Sequence, residues 1–172
     1  MIEIFYPKHK VDKVQDIELS MLKNKGIKGL ILDIDNTLVP EHVAEPDENV
    51  IKWIERVNEA GFKVCIVSNA SQKRVIKFNE KLKVHAIHKA SKPSKKAFLK
   101  AAELMGIEAE ETAVIGDQIF TDIFGGNRLN MFTILVTPID KKEVFYVKIK
   151  RIAEKYVLSK YEKYLMEQKN KI

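Results

Sequence analysis

Residues 29–38 read GLILDIDNTL, an apolar run that ends on two aspartates separated by a single residue. A short apolar run of this kind is typical of a strand buried on both faces. Because side chains two apart along a strand point to the same face, we expect Asp33 and Asp35 to project together at the strand end. Two carboxylates that close repel each other unless a cation or a shared proton relieves them. Mg²⁺, a hard cation that takes oxygen ligands, is the predicted companion of this pair.

Further apolar segments alternate with helical patterns along the chain. The predicted strands are 29–34, 63–68, 84–88, 112–116 and 132–136. The predicted helices are an N-terminal one near 17–22, then 48–60, 72–82 and 95–105. Serines provide helix caps at Ser71 and Ser94, and glycines provide stops at Gly61 and Gly106. The alternation predicts an α/β domain with a doubly wound, Rossmann-like parallel sheet of about five strands.

The composition is that of an ordinary globular protein. At 172 residues, with 45% hydrophobic and 31% charged residues, the chain is expected to form one domain. No apolar run approaches the roughly 20 residues of a membrane-spanning helix. The N-terminus lacks the pattern of a secretory signal, and Cys65 is the single cysteine. These features predict a cytoplasmic location.

The net charge is confined to the C-terminal segment, residues 141–172. Ten Lys or Arg and four Asp or Glu in this segment account for the whole charge of +6, so residues 1–140 are neutral. Its apolar residues fall at helical spacing: Phe145, Ile149, Ile152, Tyr156, Val157, Tyr161, Tyr164 and Leu165. We predict a basic amphipathic helix that either packs on domain 1–140 or makes peripheral contact with an anionic membrane. Nucleic acid is not a predicted partner, because the domain itself carries no basic excess.

Polar residues follow the predicted strands or lie in the adjoining loops. They are Asp33, Asp35, Thr37, Ser68, Asn69, Lys92, Asp117 and Asp122. Taken singly, each has a structural alternative as a polar strand end, a helix cap or a turn. Because parallel strands bring their carboxyl ends to one edge, we expect these residues to form one site. Carboxylates, a hydroxyl, a lysine and a distal acid for a metal suit phosphoryl transfer.

In this order, the motifs DIDNTLV, VSN, KP and GDQIFTD resemble those of the haloacid-dehalogenase-like hydrolase superfamily, over roughly residues 29–136. The resemblance implies a Mg²⁺-dependent phosphatase that works through an aspartyl-phosphate. The run GDQIFTDIFGGNR, followed by TILVTP, is similar to a capless branch of subclass IIIA. The bacterial proteins of that branch are themselves similar to a phosphatidylglycerophosphate phosphatase.

The resemblance also implies catalytic roles. Asp33 resembles the nucleophile, and Asp35 resembles the acid that protonates the leaving oxygen and later activates water. Lys92 would offset the negative charge of Asp33 and of the phosphoryl group. Thr37 would steady the loop and Asp35, and belongs with the phosphate-binding residues.

Binding roles follow in the same way. Ser68 would donate to a phosphoryl oxygen, with help from the backbone N–H of Asn69. The Mg²⁺ ligands would be Asp33, the backbone carbonyl of Asp35, and Asp117. Asp122 would support Lys92 or a metal-bound water.

The gaps between the motifs leave no room for a cap domain, since residues 39–47 and 69–92 are short. An open site favours a large phosphate, such as a lipid or macromolecular one, or a homo-oligomer whose neighbour supplies a lid. Phosphatidylglycerophosphate is the leading expectation. A protein-docking module with weak or absent catalysis, and transfer of the phosphoryl group to an alcohol, are alternatives.

Overall fold

Six parallel strands form one sheet with helices on both faces. The computed structural model describes residues 2–140 and 145–170, with side chains of the last helix from Arg151 onward. The strands are β1 (His9–Val11), β2 (Gly29–Leu32), β3 (Lys63–Val67), β4 (His85–Ile87), β5 (Thr112–Gly116) and β6 (Phe132–Val136). The helices are α1 (Leu19–Asn24), α2 (Glu48–Glu59), α3 (Gln72–Asn79), α4 (Lys95–Met105), α5 (Phe124–Asn127) and α6 (Phe145–Lys169). This is the predicted doubly wound α/β class.

The strand order is β1-β6-β5-β2-β3-β4, with β2 near the centre. From β2 the chain builds outward through β3 and β4, then returns to the other side of β2 as β5. The strand order therefore reverses between β2 and β5. In open parallel sheets, a crevice for ligands lies at such a switch point, beyond the carboxyl ends of the strands.

Strand β2 explains why the sheet is covered on both faces. Its side chains alternate, so that Leu30 and Leu32 join the core on the α2 side while Ile31 joins the core against α4. Trp53 of α2 and Phe98 of α4 are almost fully buried in these two cores. Burial of each such side chain contributes about 1.5–3 kcal/mol, which fixes the strand ends that carry the polar loops.

The structure has six strands where the sequence predicted about five. The missed strand is β1, a three-residue edge strand that pairs with β6. Its sequence HKV is too short and too polar to give an apolar pattern. Helix α3 also ends at Asn79 and not at residue 82, because the Asn79 amide binds both backbone groups of Val84 and closes a turn.

The loops beyond the sheet are short, as expected for a domain without a cap. Residues 33–47 contain only an isolated bridge between Asp35 and Val39. Residues 69–92 contain only α3 and β4 as regular elements. The crevice is thus bordered by loops of the sheet itself.

Helix α6 packs against the N-terminal segment and the far side of β6. Val157 and Tyr161 are buried in a cluster with Tyr6, Ile119 and Leu135. The predicted apolar stripe is only partly buried, because Ile152, Tyr156 and Leu165 are exposed. The backbone of 141–144 and the side chains of Phe145 and Ile149 lie outside the described residues. The split into units 1–140 and 141–172 stays a prediction.

No helix in the described ranges is long and apolar enough to cross a membrane.

Candidate functional site

A buried lysine joins two carboxylates at the centre of the crevice. The Lys92 ammonium lies 2.8 Å from Asp33 Oδ1 and 2.7 Å from Asp122 Oδ1. Asp33 follows β2, and Asp122 lies in a single turn of π-helix, Ile119–Ile123, after β5. All three side chains are less than a tenth exposed. Burial lowers the pKa of Lys92, but the two carboxylates outweigh it and raise that pKa, so the ammonium stays charged.

Local contacts fix the position of Lys92. The Asn69 side chain pairs with its backbone, since Asn69 Oδ1 accepts from the Lys92 N–H at 2.7 Å. The Asn69 amide nitrogen in turn donates to the Lys92 carbonyl at 3.3 Å. Beside it, the Arg128 guanidinium donates to the Pro93 carbonyl and stacks over the Phe124 ring. The loop that carries Lys92 is therefore held by residues that follow β3 and α5.

The position of Asp122 depends on the absence of a side chain at Gly116. A Cβ at Gly116 would lie 2.2 Å from Asp122 Cγ. The second oxygen of Asp122 accepts hydrogen bonds from the Gln118 N–H at 3.2 Å and the Thr121 hydroxyl at 3.3 Å. The segment 116–122, GDQIFTD, thus folds back on itself, so that the Asp122 side chain packs against Gly116.

Asp117 is the third buried carboxylate and the direct successor of β5. Its Oδ1 accepts from the Thr37 hydroxyl at 3.3 Å. Its Oδ2 accepts from the Arg151 guanidinium of α6, which also donates to the Asp117 carbonyl at 2.7 Å. Thr37 was expected to steady Asp35, but the side chain that it contacts is Asp117.

Oxygen atoms of Asp33, Asp117 and Asp122 lie within 4.8 Å of one another. Burial is the main reason why the pKa of Asp33 is raised to about 7 and that of Asp117 to about 8. Neighbouring carboxylates raise both pKa values further, against the opposing effects of Lys92 on Asp33 and of Arg151 on Asp117.

Among the side chains that the structure describes, the charges around this cluster do not balance. Its four carboxylates include Glu154, which pairs with Arg151, and its two cations are Lys92 and Arg151. Full ionisation leaves two negative charges uncompensated, which two protons or one divalent cation would neutralise. Three hard oxygen donors close together suit a hard divalent cation such as Mg²⁺ or Ca²⁺. The residues present therefore fit a divalent metal site.

Asp35 lies outside this cluster. Its Oδ1 is 2.8 Å from Nε and 2.6 Å from Nη2 of Arg74, which is in the first turn of α3. Arg74 also donates to the Val43 carbonyl at 2.9 Å and so ties α3 to the loop after β2. The protein partners of the two carboxylates differ, since Asp33 pairs with Lys92 and Asp35 with Arg74; the expectation that both lie beside one metal cation stays a prediction. Whether the Asp35 carbonyl binds a metal stays a prediction.

Ser68 and Asn69 border the same crevice at the end of β3. Ser68 is buried, and its hydroxyl oxygen accepts from the Ala70 N–H at 3.1 Å. The hydroxyl hydrogen is a donor, as phosphate binding would require. Asn69 is exposed and uses its side chain to hold Lys92, a contact that the sequence did not indicate.

Sequence reasoning missed three charged residues of the site: Arg74, Arg151 and Glu154. Arg74 sits two residues into α3, and Arg151 and Glu154 form an i, i+3 pair on α6. Charged residues at such positions are common on solvated helix faces, so local sequence gave no signal for them. Their contacts depend on how α3 and α6 dock.

Three comparisons with known proteins agree with this architecture. A Bacillus subtilis protein named Probable phosphatase YqeG is 40% identical over 157 residues, which cover 91% of each chain. The Arabidopsis thaliana phosphatidylglycerophosphate phosphatase 1, chloroplastic/mitochondrial, is 28% identical over 80% of this chain and 42% of that protein. The cobalt-bound deoxy-D-mannose-octulosonate 8-phosphate phosphatase of Haemophilus influenzae superposes with a TM-score of 0.53. That match is 17% identical over 81% of this chain and 92% of the other, and it shows the fold alone.

The family model described as haloacid dehalogenase-like hydrolase matches residues 41–130, about half of the chain. The match begins after the first motif, which holds Asp33 and Asp35, whereas the Bacillus subtilis relative is matched over 91% of this chain. The chain belongs to the haloacid dehalogenase-like hydrolase family.

Proposed function

We propose that this protein is a Mg²⁺-dependent phosphatase that hydrolyses a phosphate monoester through an aspartyl-phosphate on Asp33. The observation that carries the proposal is the buried group of Asp33, Lys92, Asp117 and Asp122 at the switch point of the sheet. Buried carboxylates so close together are costly for a fold unless cations neutralise them, so such a cluster in a crevice indicates a functional site. The phosphatase names of the relatives support this choice over a docking module.

In the proposed reaction, an Asp33 carboxylate oxygen attacks phosphorus as the bond from phosphorus to the leaving oxygen breaks. Asp35 gives its proton to the leaving oxygen and then takes one from the water that hydrolyses the phosphoenzyme. Such proton transfers typically increase the reaction rate by about 10²–10⁴-fold. Asp35 suits this work because its side chain is 27% exposed, whereas Asp33 is 9% exposed. Protons can therefore reach Asp35 from water.

The remaining residues manage charge. Lys92 neutralises part of the charge on Asp33 and on the phosphoryl group, which lets one anion attack another. The Ser68 hydroxyl and the Asn69 backbone N–H are the proposed donors to phosphoryl oxygens, next to Thr37. Bound Mg²⁺ would supply the rest of the positive charge and orient the phosphate. Its proposed ligands are Asp33, the Asp35 carbonyl and Asp117, with Asp122 holding Lys92.

A large, amphiphilic phosphate is the proposed substrate class, with phosphatidylglycerophosphate as the leading candidate. A groove of about 670 Å³ begins at Asp117 and runs between β6 and α6. Apolar residues including Ile119, Leu135 and Leu158 line it, together with three basic and three acidic residues: Lys10, Arg151, Lys155, Asp117, Asp140 and Glu154. Apolar walls with charged groups along them suit an amphiphilic ligand. The name of the Arabidopsis relative supports the same substrate, and the proposed place of action is the cytoplasmic face of a membrane.

Hydrolysis of p-nitrophenyl phosphate by the full chain tests the reaction class. We expect activity with Mg²⁺, none with chelator, and none in Asp33→Asn. Asp16→Asn is the matched control, because this exposed aspartate bonds only its own turn in the described contacts. Equal activity of Asp33→Asn and wild type would refute the assignment of the nucleophile.

Phosphatidylglycerophosphate in mixed micelles, compared with water-soluble glycerol phosphate, tests the substrate class. The proposal predicts a higher kcat/KM for the lipid. Preference for the small phosphate would remove the lipid assignment and leave the reaction class intact.

A further inference from the structure

In the part of α6 whose side chains are described, Arg151 reaches the candidate metal site. The Arg151 guanidinium contacts Asp117 twice, at carboxylate oxygen Oδ2 and, from Nη1 at 2.7 Å, at the backbone carbonyl. Asp117 has no exposed side-chain surface, and Arg151 is 16% exposed. A planar fork that grips both the side chain and the main chain of one residue restricts how that carboxylate can turn.

Glu154 fixes the arginine from the other side. Its Oε2 lies 2.8 Å from Arg151 Nη1, and its Oε1 accepts from the Ile119 N–H at 2.8 Å. Glu154 is itself buried. The chain of contacts therefore runs from the π-helical turn through Glu154 and Arg151 to Asp117.

These contacts leave a carboxylate oxygen of Asp117 for a cation. Arg151 uses Oδ2, and the neighbour described at Oδ1 is the Thr37 hydroxyl at 3.3 Å, which can rotate. The charge balance agrees, because one divalent cation neutralises the cluster with Arg151 still in place. A competing role, in which Arg151 must leave before the metal binds, would leave the Glu154 carboxylate buried without its cation.

We infer that Arg151 is a positioning residue for the metal ligand Asp117, so that α6 completes the magnesium site. The inference rests on the proposed function, and it assigns α6 a role in the site besides any contact with a membrane. Thermodynamic linkage requires the converse effect, in which bound Mg²⁺ strengthens the docking of α6.

Isothermal titration of Mg²⁺ into the full chain tests this directly. Loss of a residue that orients a metal ligand typically weakens metal affinity by about 10–100-fold, and we expect this for Arg151→Met. Arg151→Lys keeps the positive charge but lacks the planar guanidinium, so we expect a smaller loss of Mg²⁺ affinity. Lys163→Met is the matched control, because Lys163 is an exposed cation on the same helix. Its Mg²⁺ affinity should equal that of wild type.

Amide hydrogen exchange gives a second readout. Mg²⁺ should slow exchange in α6 of wild type and of Lys163→Met, but much less in Arg151→Met. If Arg151→Met does not fold, Arg151→Lys decides the question by the same two measurements.

The outcomes separate this inference from the proposed function. Equal or tighter Mg²⁺ binding by Arg151→Met would overturn the positioning role, and tighter binding would indicate competition. If wild type itself binds no Mg²⁺, the metal-dependent function and this inference are both overturned.

Discussion

Asp117 should make the metal-free protein less stable as the pH rises. Burial is the main cause that raises its pKa from an ordinary 3.8 to about 8. The folded state therefore holds a proton on Asp117 at pH values where the unfolded chain has released it. Stability rises with pH only where the unfolded state binds more protons, so here it must fall. The contribution is complete below about pH 4 and is lost as the pH approaches 8.

The size of the effect follows from the width of this window. If the folded state binds one proton that the unfolded state has released, the free energy of unfolding falls by about 1.4 kcal/mol for each pH unit. Between pH 5 and pH 7 Asp117 stays mostly protonated when folded and ionised when unfolded, which gives a loss of about 2.7 kcal/mol. A domain of this size is stable by roughly 5–15 kcal/mol, so the loss is readily measured.

Urea unfolding of wild type and of Asp117→Asn, in the presence of chelator at pH 5, 6 and 7, measures the contribution of Asp117 to the free energy of unfolding. The amide cannot titrate, so the stability difference between the two proteins should change by about 2–3 kcal/mol over this range. Asp16→Asn, at an exposed aspartate, is the control and should track wild type. Saturating Mg²⁺ should flatten the wild-type slope, because a metal ligand must be deprotonated. Parallel stability curves for wild type and Asp117→Asn would refute the reasoning.

Three further substitutions probe the site and its support. Lys92→Met leaves Asp33 and Asp122 buried without their cation, and we expect urea unfolding to show a loss of about 3–5 kcal/mol. Gly116→Ala places a methyl group 2.2 Å from Asp122 Cγ, so a loss of about 1–3 kcal/mol is expected. An unchanged melting temperature would contradict that clash. Tyr161→Ala removes a buried ring of α6 and should weaken helix docking by about 3 kcal/mol, measured as faster amide exchange in α6.

The sequence predicted the parts of the fold that have strong local patterns. Strands 112–116 and 132–136 and helix 95–105 match the observed bounds, because each has continuous apolar or amphipathic residues and clear ends. The edge strand β1 was missed, since its pairing with β6 depends on residues about 125 positions away and not on its own three residues.

The same distinction holds for the site. Asp33, Lys92, Asp117 and Asp122 could be grouped in advance, because parallel strands bring their carboxyl ends together. The resemblance led us to expect Asp33 and Asp122 beside Lys92, but the partners of Asp35 and Asp117 could not be foreseen. The pairing of Asp35 depends on the angle at which α3 leaves the sheet, and that of Asp117 depends on where α6 docks.

The pairings distinguish four aspartates that look alike in sequence. Asp33 and Asp122 share a single lysine, so neither carboxylate has a cation of its own. Asp117 has an arginine that grips both its side chain and its carbonyl, which suits a ligand that must keep one orientation. Arg74 holds Asp35 at Oδ1, and the contact of this side chain with solvent suits a group that exchanges protons. A nucleophile needs an oxygen that is not already committed. Among the described contacts Lys92 lies on Oδ1 of Asp33, whereas both oxygens of Asp122 accept hydrogen bonds, so Asp33 is the better proposed nucleophile of the two.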